Sequence, residues 1–241
     1  MTQAIRSQKL PSLDGWRAVS IALVLLAHST FTTSFPTALN PLIVNYFAAG
    51  SLGVHFFFVI SGFLITWLLL QEQAKHGTIS LKHFYLRRAL RILPVYFFYL
   101  LVLGFLTRYA QPPSAWLANV TFTTNLFPYP GATEHFWSLG VEEQFYLLWP
   151  GLLILILARQ KKGGANLLKF LLLPLAVAPL ARLLECKHWY PEPLHIPLLF
   201  FNESDSLAYG CVTAVMFARW RNDLELFLKS ISMLSPGVAW V

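Results

Sequence analysis

Residues 52–70 read LGVHFFFVISGFLITWLLL, and this stretch decides the class of fold. It contains no Lys, Arg, Asp or Glu, and it is close to the ~20 apolar residues that a helix needs to cross a bilayer. The rest of the chain is similar, since 56% of its 241 residues are hydrophobic and only 12% are charged. Soluble domains carry about 25% charged residues. We therefore expect an all-α integral membrane protein, because helices satisfy their own backbone hydrogen bonds in lipid.

Five further apolar stretches accompany this one, which predicts a polytopic helix bundle of six spans. They are placed at 18–35, 52–70, 92–106, 141–158, 167–184 and 206–218, with a candidate partial seventh span at 226–241. The sequence shows no internal repeat and no second soluble segment, so 1–241 is treated as one transmembrane domain. Because the chain stops inside an apolar run, we expect that domain to be incomplete at its C-terminus.

The basic residues predict the orientation of the bundle. All but three of the 18 Lys and Arg residues (Arg108, Arg182 and Lys187) fall on the side of the N-terminus. Cytoplasmic loops carry this excess, so the N-terminus is expected to be cytoplasmic. The same bias explains the net charge of +7 without nucleic acid as a partner. Residues 79–91 are predicted to form a basic helix on the cytoplasmic membrane surface, in contact with membrane lipids.

Arg17 and His28 are the first candidate site residues. They lie eleven positions apart, which at ~100° per residue returns both side chains to one helix face, ~16.5 Å apart along the axis. Arg17 is expected at the cytoplasmic entrance and His28 near the middle of the bilayer. There a neutral imidazole can act as a base. The alternatives are an interhelical hydrogen bond for His28 and an interfacial anchor for Arg17.

Glu142 and Glu143 are the second candidates, at the predicted start of span four. Adjacent helix residues point ~100° apart, so at least one carboxylate should face the interior. It would orient a histidine or bind a sugar hydroxyl. The alternative is favourable negative charge at a helix N-terminus.

Arg87, Arg88 and Arg91 form a basic cluster with helical spacing. Their guanidinium groups suit phosphate binding, although topology control and contact with anionic lipid explain the spacing equally well. Asp14 is interpreted first as a helix cap, and Ser61 with Gly62 as close helix packing. Asp205 fits either a cap or a site residue.

Taken together, several segments resemble acyltransferase family 3, the membrane-bound O-acyltransferases that decorate bacterial surface polysaccharides. The matching stretches are SLDGWRAVSIALVLLAHS (12–29), GVHFFFVISGFLIT (53–66), FYLRRALRILPVYF (84–97), HFWSLGVEEQFYLLWP (135–150) and SDSLAYGCVTA (204–214). The chain departs from the family in having fewer spans. It also has Glu203 where the family usually has a basic residue, two positions before Asp205.

The resemblance implies transfer of an acyl group, usually acetyl, from cytoplasmic acyl-CoA to a hydroxyl of a carbohydrate or lipid-linked glycan. In that reading the protein lies in the bacterial inner membrane. Arg17, assisted by the Arg87–Arg91 cluster, holds the acyl-CoA phosphates, and His28 deprotonates the acceptor. Glu142 or Glu143 orients His28 or binds the acceptor. The candidate acceptor contacts are Asp14, Ser61, Trp137, Ser138 and Asp205.

We expect no bound cofactor and no metal, with acyl-CoA acting as a co-substrate. An acyl-enzyme intermediate on His28 or a serine is an alternative chemistry. A transporter or flippase for a lipid-linked sugar is an alternative function, in which intramembrane His and Glu residues relay protons. An inactive fragment that binds a partner is a third.

Overall fold

The structure, a computed structural model, describes residues 11–29, 50–107, 112–127, 133–161, 167–186 and 203–220. Its helices are α1 (Pro11–Ser29), α2 (Gly50–His76), α3 (Leu81–Thr107), α4 (Pro113–Val120), α5 (Trp137–Lys161), α6 (Leu167–Cys186) and α7 (203–220), with a 3₁₀ turn at Glu134–Phe136. These ranges contain no strand. The all-α prediction is therefore confirmed for the described part of the chain.

Three of the helices are long and apolar enough to cross a membrane. They cover Leu52–His76, Leu81–Leu106 and Trp137–Gln160, and they contain the predicted spans two, three and four. Span five coincides with α6, whose apolar part, Leu167–Leu180, is shorter. Spans one and six are helical where described, but they do not reach the same length and hydropathy. The count of six spans is therefore not confirmed, and residues 226–241 lie outside the described residues.

The prediction of a separate basic helix at the membrane surface is wrong. Residues 81–91 continue without a break into the apolar part of α3. Pro94 lies inside this helix, which membrane helices tolerate because neighbouring groups satisfy the carbonyl that proline leaves without a donor. Near its start, the Tyr85 hydroxyl donates a hydrogen bond of 2.7 Å to the Leu147 carbonyl. The basic end of α3 is thus fastened to the middle of α5.

Glycines let α2 pack closely on both α1 and α7. A Cβ on Gly53 would lie 2.8 Å from the Ser20 carbonyl oxygen of α1. A Cβ on Gly62 would collide with the Leu207 carbonyl oxygen of α7. Small residues of this kind drive helix association in membranes, because backbones can then approach to van der Waals contact. The interpretation of Gly62 as a close-packing residue is confirmed.

The core lies between α2, α5, α6 and α7. Its fully buried side chains include Phe58, Leu153, Leu171 and Leu207. A polar contact crosses it where the Trp149 indole donates a 2.9 Å hydrogen bond to Thr66 Oγ1. This packing fixes the relative rotation of α2 and α5, and those two helices carry most of the candidate site.

Candidate active site

Glu142 is the most deeply buried acidic residue among those predicted for the site, with 5% of its surface exposed. Its Oε1 accepts hydrogen bonds from Ser61 Oγ on α2 and from the Tyr146 hydroxyl one turn along α5. The Tyr146 hydroxyl also lies 3.1 Å from Ser61 Oγ. Two donors on one oxygen fix the orientation of the carboxylate, and they join α2 to α5 through one buried polar group.

Two arginines bring positive charge to this carboxylate. The Arg88 guanidinium lies 4.0 Å from the centre of the Tyr146 ring, and Arg17 and Arg88 both act on Glu142 electrostatically. Within the described residues, Arg17 Nε, Arg88 Nη2 and Glu143 Oε1 are buried atoms without a hydrogen-bond partner. Buried polar atoms are normally satisfied. The surroundings of Glu142 are therefore suited to a polar ligand.

Arg17 lies deeper in the bundle than the sequence indicated. Its neighbour Trp16 stacks on Phe56 with ring centroids 6.4 Å apart, and Phe56 belongs to the first third of α2. Only 15% of the Arg17 side chain is exposed, and its contact with Asp14 is a long 4.0 Å. Arg17 thus lines the interior near Glu142.

His28 lies at the opposite end of α1, where its orientation is set by the backbone. Its Nδ1 is 2.8 Å from the Val24 carbonyl oxygen, which can only accept a hydrogen bond. Nδ1 therefore carries the proton of the neutral ring, and Nε2 carries the lone pair of a base. The ring faces His135, with centroids 6.4 Å apart. Because His135 precedes α5 while Glu142 lies in its second turn, the imidazoles and Glu142 occupy different levels of the bundle.

A cleft of about 230 Å³ lies beside Glu142. It runs between α1, α2 and α5, and Glu142 lies in its wall. Ser20, Ile21, Val24 and Leu25 of α1 also line it, and these positions fall between Arg17 and His28. The cleft is mostly apolar with the Glu142 carboxylate in its wall, and the His28–His135 pair lies farther along α1, outside its lining.

Comparison with known proteins assigns the chain to a family. A sequence model described as an acyltransferase domain matches residues 10–241. The chain belongs to this acyltransferase family. The resemblance inferred from the sequence motifs is therefore confirmed.

Two relatives of the acyltransferase are O-acetyltransferases. The peptidoglycan O-acetyltransferase OatA of Listeria monocytogenes is 30% identical over 167 residues, or 61% of this chain and 25% of that protein. The O-acetyltransferase OatA of Staphylococcus aureus is 33% identical over 171 residues, or 63% of this chain and 26% of that protein. The chain thus spans about a quarter of the length of these relatives. No solved structure gives a match.

The three arginines of the basic cluster, Arg87, Arg88 and Arg91, differ in their contacts and exposure. Arg88 is held over Tyr146, whereas Arg87 is mostly exposed and lies 3.5 Å from the Glu72 carboxylate. All three arginines line a second cleft of about 290 Å³ between α2 and α3, together with Glu72. Arg91 also lines a third, outward-facing groove. The three arginines thus share the α2–α3 cleft, and Arg88 is the one that reaches the Glu142 group.

Two interpretations of acidic residues are corrected by the helix boundaries. Asp14 is not a cap, because α1 begins three residues earlier at Pro11 and Asp14 lies within its first turn, with 83% of its side chain exposed. Glu142 and Glu143 do not lie at a helix N-terminus either. α5 begins at Trp137, and its first turn contains no acidic residue. A helix-dipole role weakens beyond the first turn, so their burial needs another explanation.

The remaining predicted contacts have structural partners. Trp137 packs edge-on against Phe58 at 6.3 Å, and the Ser138 hydroxyl donates a 3.2 Å hydrogen bond to the His135 carbonyl. Asp205 forms an ion pair with Arg182 of α6 and accepts a 2.8 Å hydrogen bond from the Ser206 amide. Of these residues, Ser138 lines the cleft with Glu142.

A polar cluster at the start of α7 was missed from the sequence. His55 Nδ1 lies 2.9 Å from Ser206 Oγ and 3.1 Å from the Glu203 carboxylate. Glu203 is the residue that departs from the family pattern, so the structure gives this departure an imidazole partner. The sequence signal for this cluster was Glu203, an acidic residue where the family usually has a basic one. No local spacing indicated His55 as its partner, because His55 is far away in the sequence.

Proposed function

We propose that this acyltransferase domain moves an acyl group, represented by acetyl, from acyl-CoA to a hydroxyl of a carbohydrate or lipid-linked glycan. The observation that carries the proposal is the Arg17–His28 face of α1. The residues of this face between Arg17 and His28 line a cleft that has Glu142 in its wall, and His28 lies farther along α1 with Nε2 as its basic nitrogen. The relatives' names as O-acetyltransferases support the acetyl group and the oxygen acceptor.

The donor enters at the charged end of the cleft. Arg17 and Arg88 supply fixed positive charge for the phosphates or the thioester oxygen, and Arg87 and Arg91 extend this charge along α3. The apolar wall between Arg17 and His28 spans ~16.5 Å, which gives an extended pantetheine arm a path. Acyl-CoA reaches this end from the cytoplasm if the N-terminus is cytoplasmic.

The transfer itself needs one base. His28 Nε2 accepts the proton of the acceptor hydroxyl while the hydroxyl oxygen attacks the thioester carbonyl. The new C–O ester bond forms, the C–S bond breaks, and the proton passes to the departing thiolate to give free CoA. Glu142 stabilises the charged end of the site, since Ser61 and Tyr146 hold its carboxylate away from the imidazole level. The exposed apolar face of α3 contacts lipid in the bacterial inner membrane.

Replacement of His28 by Ala tests the proposal. We expect transfer of labelled acetyl from acetyl-CoA to surface glycan to fall by about 10²–10⁴-fold, as when a general base is removed. His76→Ala is the matched control, because His76 is an exposed histidine in the last turn of α2. Normal transfer by a folded His28→Ala protein would refute the assignment. Sugar translocation without consumption of acetyl-CoA would favour a transporter.

A further inference from the structure

An aromatic groove lies on the side of α3 that faces the start of α5, outside the cleft described above. It has a volume of about 470 Å³, within the range of small-molecule sites. Its walls combine aromatic rings, short apolar side chains, one guanidinium and one imidazole; they are Arg91, Ile92, Val95, Tyr96, Tyr99, His135, Phe136 and Leu139. Such a mixture is typical of a binding site and unlike a purely lipid-facing surface.

The floor of the groove is rigid. The Tyr96 ring stacks on Phe122 at 4.5 Å and contacts Phe136 at 5.3 Å. Its hydroxyl donates a 2.9 Å hydrogen bond to the Asn119 carbonyl. Packing and hydrogen bonding therefore hold this ring in one orientation before any ligand arrives, which lowers the entropic cost of binding.

Tyr99 presents the open aromatic surface of the groove. It is 44% exposed, and its ring contacts Phe136 at 5.6 Å and His135 at 6.5 Å, both edge to face. An exposed, supported tyrosine offers a flat apolar face with a polar edge. The flat C–H face of a pyranose ring is complementary to such a surface, and its hydroxyls need polar groups at the rim.

The polar groups at the rim lead towards His28. His135 lies beside Tyr99, and its ring faces His28 at 6.4 Å. At the other end, Arg91 lies two helical turns, or ~12 Å, along α3 from Tyr99. A sugar packed on Tyr99 would thus have a hydroxyl next to the histidine pair and an adjacent substituent directed towards Arg91.

We propose that this groove binds a pyranose ring of the acceptor glycan, with Tyr99 as the stacking platform and His135 as a hydroxyl ligand beside His28. The inference rests on the proposed function for its biological meaning, but binding can be measured separately. It names the acceptor subsite and assigns its specificity to α3 and to the turn before α5, not to the cleft that carries the donor.

The test is binding of soluble tetramers of N-acetylglucosamine and of glucose to the full chain in detergent, measured by calorimetry. Tyr99→Ala should weaken binding of at least one tetramer about tenfold, or ~1.4 kcal/mol, since it removes both the aromatic contact and its buried apolar area. Tyr99→Phe keeps the ring and should bind within about twofold of the unmodified protein, because stacking carries most of the contact. Phe98→Ala is the matched control: Phe98 is a 69% exposed aromatic on the same helix, outside the groove.

The outcomes separate this inference from the proposed function. If neither tetramer binds, or if Tyr99→Ala binds as Phe98→Ala does, the groove is not a sugar subsite, even when the unmodified protein transfers acetyl. Binding that depends on Tyr99 in a protein that never transfers acetyl would uphold the subsite and overturn the acyl transfer. In the acetyl-transfer assay, Tyr99→Ala should raise the acceptor KM and leave the acetyl-CoA KM unchanged.

Discussion

Tyr146→Phe is the most informative single change at the candidate site. It removes one hydroxyl, which donates to Glu142 Oε1 and lies 3.1 Å from Ser61 Oγ. The aromatic ring remains, so the contact with the Arg88 guanidinium at 4.0 Å and the packing between α2 and α5 are kept. The variant therefore changes how the carboxylate is held without creating a cavity.

The expected size follows from the kind of hydrogen bond lost. Hydrogen bonds to charged groups contribute ~1.5–3 kcal/mol. Because Ser61 still donates to the same oxygen, we expect the lower end of this range. If the orientation of Glu142 matters in the transition state, kcat should fall about tenfold with the acetyl-CoA KM unchanged. Because the two hydroxyls share one oxygen, the Ser61→Ala and Tyr146→Phe effects should also couple by ~0.5–3 kcal/mol.

The assay combines single-turnover acetyl transfer with thermal unfolding in detergent. Tyr85→Phe is the matched control, because the Tyr85 hydroxyl likewise joins two helices. It donates to the Leu147 carbonyl and not to Glu142, and so links α3 to α5. It should lower stability with little effect on transfer. Equal kcat for Tyr146→Phe and Tyr85→Phe, or strictly additive effects in the double variant, would refute the positioning role of Tyr146.

Two further changes separate structural from functional roles. Gly62→Ala should lower the unfolding temperature and the yield of folded protein, because its Cβ would collide with the Leu207 carbonyl oxygen. Gly151→Ala is the control, since its Cβ would meet nothing within 4 Å and the unfolding temperature should stay unchanged. Equal unfolding temperatures for the two variants would contradict the close α2–α7 contact. Arg88→Ala should raise the acetyl-CoA KM at least tenfold. Arg87→Ala should raise this KM severalfold at most, because the exposed ion pair of Arg87 contributes at most ~1 kcal/mol. A larger KM increase for Arg87→Ala than for Arg88→Ala would show that the exposed end of the cluster binds the donor.

Local sequence patterns predicted the features that depend on the geometry of a single helix. The eleven-residue spacing of Arg17 and His28 requires only helical geometry, and α1 is helical across both positions. The cleft-lining positions Ser20 and Val24 fall on the same face. Long apolar runs likewise predicted α2, α3 and α5, because a membrane helix must be apolar along its length.

Boundaries were less predictable, because hydropathy shows where lipid is tolerated and not where a helix begins. The basic residues at 81–91 suggested an element of their own, yet helical hydrogen bonding continues through them into the rest of α3. Similarly, the apolar run at 141–158 concealed the first residues of α5, which starts at Trp137. Because α5 starts at Trp137, Glu142 is a buried residue in the second turn and not a charge at the helix terminus.

Long-range pairing was not predictable from spacing at all. Ser61 and Glu142 lie 81 positions apart, and nothing local in either segment indicates the other. The pairing depends instead on the rotation of α2 against α5, which is set by the core and by the hydrogen bond from Trp149 to Thr66. Ser61, which the sequence suggested as a packing residue, therefore also holds the Glu142 carboxylate. It performs both tasks because the close approach of α2 and α5 brings its hydroxyl within hydrogen-bonding distance.

The separation between the two ends of the site follows from the same packing. α1 lies against the first half of α2 through Gly53 and Phe56, which places Arg17 near Glu142 and carries His28 to the level of His135. In the proposed reaction, His28 at one end and the positive charge of Arg17 at the other can then act on one extended thioester without contacting each other. If the ends are coupled only through the bound donor, charge changes at Arg17 should alter the acetyl-CoA KM, whereas changes at His28 should alter kcat.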